Sequence, residues 1–101
     1  MFDKNMPRYL TAGIKESIPI GLQKVIWDII DSKVKENKYA VDYLQVFNIK
    51  NLNGKTEIKY SQEEPVIKES HLVDFDYKGF SEKIYVIDEQ KHATMLLAAE
   101  Y

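Results

Sequence analysis

The sequence predicts an α+β fold in a single domain, residues 1–101, built as a curved antiparallel sheet of about five or six strands with one amphipathic helix packed on one face. Three observations lead there. Asn53-Gly54 sits between two segments of alternating polarity, a single long stretch repeats apolar residues at helical spacing, and a second pair of β-rich segments closes the chain.

Asn-Gly favours a type I′ hairpin turn because both central residues need positive φ, which glycine takes freely and asparagine tolerates. Folding Tyr43–Leu52 onto Thr56–Gln62 about this turn sets Ile49 opposite Ile58, Phe47 opposite Tyr60 and Lys50 opposite Glu57. Phe47, Ile49, Ile58 and Tyr60 then share one face, and Asn48, Lys50, Glu57 and Lys59 share the other, as in a sheet covered on one side. Glu63-Glu64-Pro65 ends the hairpin, because proline cannot donate to a ladder.

Before the hairpin, Arg8 to Ala12 reads as a short strand that ends as Gly13 loosens the backbone. Ile18-Pro19 opens the helix, since a proline in the first turn gives up no intrahelical bond, and Ser17 is placed to help cap it. Leu22, Val25, Ile26 and Ile29 form the centre of an apolar stripe, with Ile30, Val34 and Trp27 to one side, and the helix runs to about Glu36. On the opposite side, Lys24 with Asp28 and Asp31 with Lys35 are spaced to pair.

After the hairpin, Val66 to Phe75 is a further strand, with Ile67, His71, Val73 and Phe75 in one phase and Val66 and Leu72 in the other. Asp76 to Ser81 reads as a loop. Lys83–Asp88 and Ala93–Leu97 form the second hairpin, setting Val86 against Met95 and Ile84 against Leu97 on one face. Tyr85 with Leu96 and Ile87 with Thr94 fall on the other, which is also largely apolar. One helix covers one face only, so the surplus calls for strong curvature, the chain termini or another protein.

With 45% hydrophobic and 30% charged residues, the composition is that of a folded globular protein. A net charge of −2 supplies no general basic field, so nucleic acid is not the expected partner. No apolar run approaches the roughly 20 residues that span a bilayer, so no membrane association is expected. The residues Met1 to Pro7 lack the pattern of a signal peptide, and the absence of cysteine excludes disulfides, thiolate nucleophiles and zinc fingers. Both absences point to the cytoplasm.

No motif identifies a chemistry. Asp74-Phe75-Asp76-Tyr77-Lys78-Gly79 imitates a calcium loop, but Lys78 occupies a ligand position and Tyr85 stands where the closing glutamate belongs. His71 and His92 belong to no ligand spacing, adjacent Glu63 and Glu64 point to opposite faces of an extended segment, and no nucleophile elbow or phosphate-binding loop is present. No catalytic residue, metal or cofactor is therefore assigned. What the chain offers instead is an apolar set suited to a protein partner or to self-association: Trp27, Ile30 and Val34 on the helix, and Tyr85 and Leu96 on the second hairpin. The alternative is a small-molecule cleft, with or without a minor enzymatic role, near Tyr60, Gln62 and His71.

A set of residues along the whole chain resembles a domain-of-unknown-function family of staphylococci and other Firmicutes. Arg8-Tyr9, Thr11, Gly13, Ile18-Pro19, Leu22-Gln23 and Trp27 belong to it, followed by Asp42-Tyr43-Leu44-Gln45-Val46-Phe47 and Ser61-Gln62-Glu63 with Pro65. Val86-Ile87-Asp88, Thr94-Met95-Leu96-Leu97 and Glu100-Tyr101 complete it. The resemblance implies a small cytoplasmic α+β protein and brings no activity, ligand or catalytic residue with it.

Overall fold

The alternating residues around Asn53-Gly54 form the middle of one open, six-stranded sheet. The structure is a computed structural model and describes residues 1–101. In chain order the elements are β1 (Arg8–Leu10), α1 (Ala12–Ser17), α2 (Ile20–Glu36), β2 (Leu44–Leu52), β3 (Lys55–Gln62), β4 (Ile67–Val73), β5 (Ser81–Asp88) and β6 (Ala93–Leu97). A single 3-10 turn, Ala98–Glu100, follows. The spatial order is β1-β6-β5-β2-β3-β4, so β2 lies inside the sheet while β1 and β4 are its edges.

Asn53 has φ 54° and Gly54 φ 85°, as a type I′ turn demands. The register follows from it: Phe47 pairs with Tyr60, Ile49 with Ile58 and Lys50 with Glu57, whose charges approach to 3.9 Å. The second hairpin pairs Ile84 with Leu97, Tyr85 with Leu96, Val86 with Met95 and Ile87 with Thr94. Its strand β5 lies antiparallel beside β2, with Ile84 opposite Phe47, so the buried phases of both hairpins merge on one face.

That face is the core. Phe47, Ile49, Ile58, Tyr60, Ile84, Val86 and Met95 pack with Leu22, Ile26, Ile29 and Ile30 of α2, and with Ile14 and Ile18 around α1. Each such side chain contributes about 1.5–3 kcal/mol on full burial. Helix α2 stops at Asn37: its amide still donates to the Lys33 carbonyl, and its left-handed conformation, φ 50°, then turns the chain out of the helix.

The amino-terminal part departs from the sequence reading. The first strand ends at Leu10, not Ala12, because the Thr11 hydroxyl caps a helix by accepting from the Ile14 amide. There are therefore two α-helices where one was expected, and Ser17 ends α1 instead of capping α2. Pro19 holds the N-cap position of α2, where its carbonyl accepts from the Leu22 and Gln23 amides. The sheet is also not wholly antiparallel: β1 runs parallel to β6, with Leu10 beside Met95. Lys24 does pair with Asp28, at 3.0 Å, but Asp31 turns to Arg8 of β1 rather than to Lys35. β4 is shorter than Val66–Phe75: Val66 is exposed before it and Phe75 lies beyond it.

The chain ends supply some of the cover that the second hairpin requires. Glu100 accepts hydrogen bonds from the Thr11 hydroxyl at 2.6 Å, the Leu97 amide at 2.9 Å and the Gly13 amide at 3.2 Å. The Thr11 hydroxyl foremost, with the two amides, holds this carboxyl below its ordinary range. A Cβ on residue 13 would lie 2.6 Å from the carboxylate oxygen, so glycine is what allows the approach. Beyond this turn, the Tyr101 ring meets Tyr85 edge-on, with centroids 5.4 Å apart.

Gly54→Val forces a β-branched residue into positive φ and is expected to lower unfolding free energy by about 1–2 kcal/mol. Urea denaturation of the variant against wild type measures it, and an unchanged midpoint would mean that the turn does not set the register.

Candidate functional site

In a sheet, residues two apart share a face, so the outward set follows from the registers. It comprises Leu44, Val46, Asn48 and Lys50 on β2, Lys55, Glu57, Lys59 and Ser61 on β3, and Lys68, Ser70 and Leu72 on β4. Ser81, Lys83, Tyr85 and Ile87 of β5, Thr94 and Leu96 of β6 and Tyr9 of β1 continue it. No helix packs on this side.

The outward face is divided in two. Leu44, Val46, Tyr85, Ile87 and Leu96 form an apolar part, bounded by exposed Tyr9 and Tyr101. Lys50, Lys55, Lys59, Lys68 and Lys83 form a basic part, in which Glu57 is the one outward carboxylate. Lys50 has Glu57 as its partner, whereas no carboxylate lies within 4 Å of Lys59, Lys68 or Lys83; the Lys83 ammonium instead sits 5.6 Å from the centre of the Tyr85 ring. Two adjoining depressions of about 550 and 390 Å³ share Asn48 and Lys59 as lining residues. A chain of net charge −2 thus gathers positive charge on one uncovered surface.

The sequence-predicted interface residues separate. Tyr85 lies on the open face and is half-buried, and Leu96 beside it is nearly covered, at 9% exposure. Trp27 and Val34 belong to the helical layer on the other side of the sheet, half-buried against the core. The Arg8 guanidinium stacks over Trp27, 4.5 Å from the ring centre, while bonding Asp31, so the tryptophan closes the sheet at the β1 edge. Ile30 has no exposed surface at all: it points at the sheet from the middle of the α2 stripe, and its place in an interface is corrected to core.

The alternative cleft is not formed. Tyr60 and Gln62 face the helices and are buried, and their polar atoms are used internally. The Tyr60 hydroxyl donates to Gln45 Oε1, Gln45 Nε2 donates to Gln62 Oε1 at 2.9 Å, and Gln62 Nε2 donates to the carbonyls of Ala40 and Pro65. The network ties β2 and β3 to the segment that enters β2 and the one that leaves β3, satisfying groups whose burial would otherwise cost about 1–3 kcal/mol each. His71 lies apart on β4, 3.2 Å from Glu69, which also bonds Lys33 of α2. The lysine bond, chiefly, holds the Glu69 carboxyl below its usual range. His92 meets Tyr9 with the rings tilted by 53° and their centroids 4.8 Å apart, and approaches Glu89 to 3.2 Å. Asp74–Gly79 gathers no ligand set: Asp76 is taken by Lys78 and Asn51.

Sequence reasoning missed Gln45 and the lysine surface. Lys50 and Lys59 were placed by the turn register, but Lys83 joins them only through the β2–β5 pairing.

Fold and site together define a small α+β protein with a mostly antiparallel open sheet, helices on one face and an uncovered face on the other. The chain belongs to the family described as staphylococcal protein of unknown function (DUF960), whose model matches residues 7–100. It is similar to a protein of unknown function from Enterococcus faecalis, known from a crystal structure, with 32% sequence identity and a TM-score of 0.88 over 99% of this chain and 94% of that one. No curated protein matches it. No helix is long and apolar enough to cross a membrane.

Burial foremost, and then the negative charges of Glu69 and Asp42, push the Tyr60 hydroxyl from 10.0 to about 12. An unfolded chain releases this proton first, so the contribution of Tyr60 to stability is complete below pH 10 and is lost as pH rises towards 12. Tyr60→Phe strands Gln45 Oε1 and is expected to cost about 1–3 kcal/mol at neutral pH. It should also remove the latest-titrating tyrosine from the near-ultraviolet absorbance titration. A variant that keeps that phase would assign it elsewhere.

Proposed function

We propose that the protein is a non-catalytic cytoplasmic recognition module that uses the uncovered sheet face to bind a protein partner whose surface is acidic and in part apolar. The observation that carries this reading is the juxtaposition on one face of partly exposed Leu44, Val46, Tyr85 and Ile87 with Lys59, Lys68 and Lys83, three lysines that have no carboxylate partner. Complementary charge steers such a partner, and the apolar part provides area for desolvation. The net charge of −2 supplies no general basic field for a phosphate backbone, which favours a protein over nucleic acid.

Photocrosslinkers at residue 46 or 85 should capture the same protein in cells, and one at residue 27 should not. Lys59→Glu with Lys83→Glu should weaken its binding about tenfold or more, since like-charge juxtaposition costs several kcal/mol, while Trp27→Phe should leave it unchanged. Binding that ignores the two glutamates, or depends on Trp27, would defeat the reading.

A further inference from the structure

The inner strands have partners on both sides, but β4 is hydrogen-bonded only to β3, along seven residues that contain neither proline nor bulge. Which of its backbone groups are free follows from the turn. A two-residue hairpin makes Leu52 and Lys55 a hydrogen-bonded pair, and antiparallel pairs alternate, so Lys55, Glu57, Lys59 and Ser61 bond to β2. Thr56, Ile58, Tyr60 and Gln62 then bond to Val73, His71, Glu69 and Ile67 of β4. The same alternation, carried to the far side of the sheet, requires Ala93 and Met95 to face β1, and the Ala93 amide does bond Pro7 while the Met95 carbonyl accepts from Thr11. Lys68, Ser70 and Leu72 are left with amides and carbonyls directed away from the sheet, and no turn, loop or cap hydrogen bond reaches them.

We infer that β4 pairs antiparallel with β4 of a second copy of this chain, centred on Ser70, to make a two-fold dimer with one continuous sheet. The sequence of the strand is complementary to itself about that residue. Ile67 falls opposite Val73 of the second copy, Glu69 opposite His71, and Lys68 opposite Leu72, whose exposed side chain gains cover from the lysine stem. The Ser70 pair exchanges hydrogen bonds, which places Glu69 and His71 in a non-hydrogen-bonded pair, where facing side chains come closest. Moving the centre by one residue fails both ways: it sets Glu69 against Glu69, or His71 against His71. Helices of both copies lie on one side of the joined sheet and the open faces on the other, so the dimer presents the proposed recognition face twice without occupying it. The edge does not depend on that reading and is tested separately from it.

Light scattering coupled to size exclusion should give twice the 11.8 kDa chain mass at high concentration. Ser70→Pro removes an amide that the monomer leaves unused and should reduce the mass to that of one chain with an unchanged circular dichroism spectrum. Should proline disturb the fold, Ser70→Lys decides, because it sets two like charges opposite one another across the two-fold axis while staying solvated in the monomer. In the wild type, the Ser70 and Leu72 amides should exchange hydrogen more slowly as concentration rises. A wild-type monomer at every concentration, or a dimer that survives Ser70→Lys, overturns the inference.

Discussion

Phe47 and Ile49 on β2 carry the architecture. Each is buried, each has a strand partner on both sides, and their phase decides which face of every other strand turns towards the helices. Because the side-chain period of a strand is two, a slip of one residue here would turn Phe47 and Ile49 outward and bring Asn48 and Lys50 against α2. The Asn53-Gly54 turn prevents that slip on one side, and the match of Phe47 to Ile84 prevents it on the other. The core, the Gln45–Tyr60–Gln62 network and the placement of the lysines are all consequences of this one register.

The same constraint explains why the molecule has two unlike surfaces. Inward positions must be apolar or fully hydrogen-bonded, and the buried glutamines meet that condition through each other and through backbone carbonyls. Outward positions carry no such requirement, so lysines and β-branched residues can be distributed there without cost to the core. Charge accumulates on that side because only Glu57 interrupts the lysines, not because the chain is basic.

Local signals made much of this readable in advance. Both hairpin registers followed from counting, since a turn ties together residues a few positions apart. The readings that failed needed information from distant residues. Thr11 looks like the continuation of a strand until Glu100 arrives to share its hydroxyl, and helix α1 contains too few apolar residues to announce itself. Ile30 and Trp27 are near neighbours on the helical stripe, yet one is core and the other meets Arg8, a distinction set by where β1 docks. The lysine face needed the strand order, and strand order is a property of the assembled sheet.

The parallel pairing of β1 with β6 also bears on time. Tyr9 and Thr94 are neighbours, so the first strand has no place to go until nearly the whole chain has been made and the second hairpin has closed. A contact of such sequence separation forms late, because the loop it closes is long and its entropy must be met before any bond rewards it. The two hairpins and β4 can assemble as a five-stranded core, β6-β5-β2-β3-β4, while β1 and α1 wait. The start of the chain is thus the last part to arrive and, by the same logic, the first to leave, and pulse-labelled hydrogen exchange during refolding should find the Thr11 amide protected after that of Ile58.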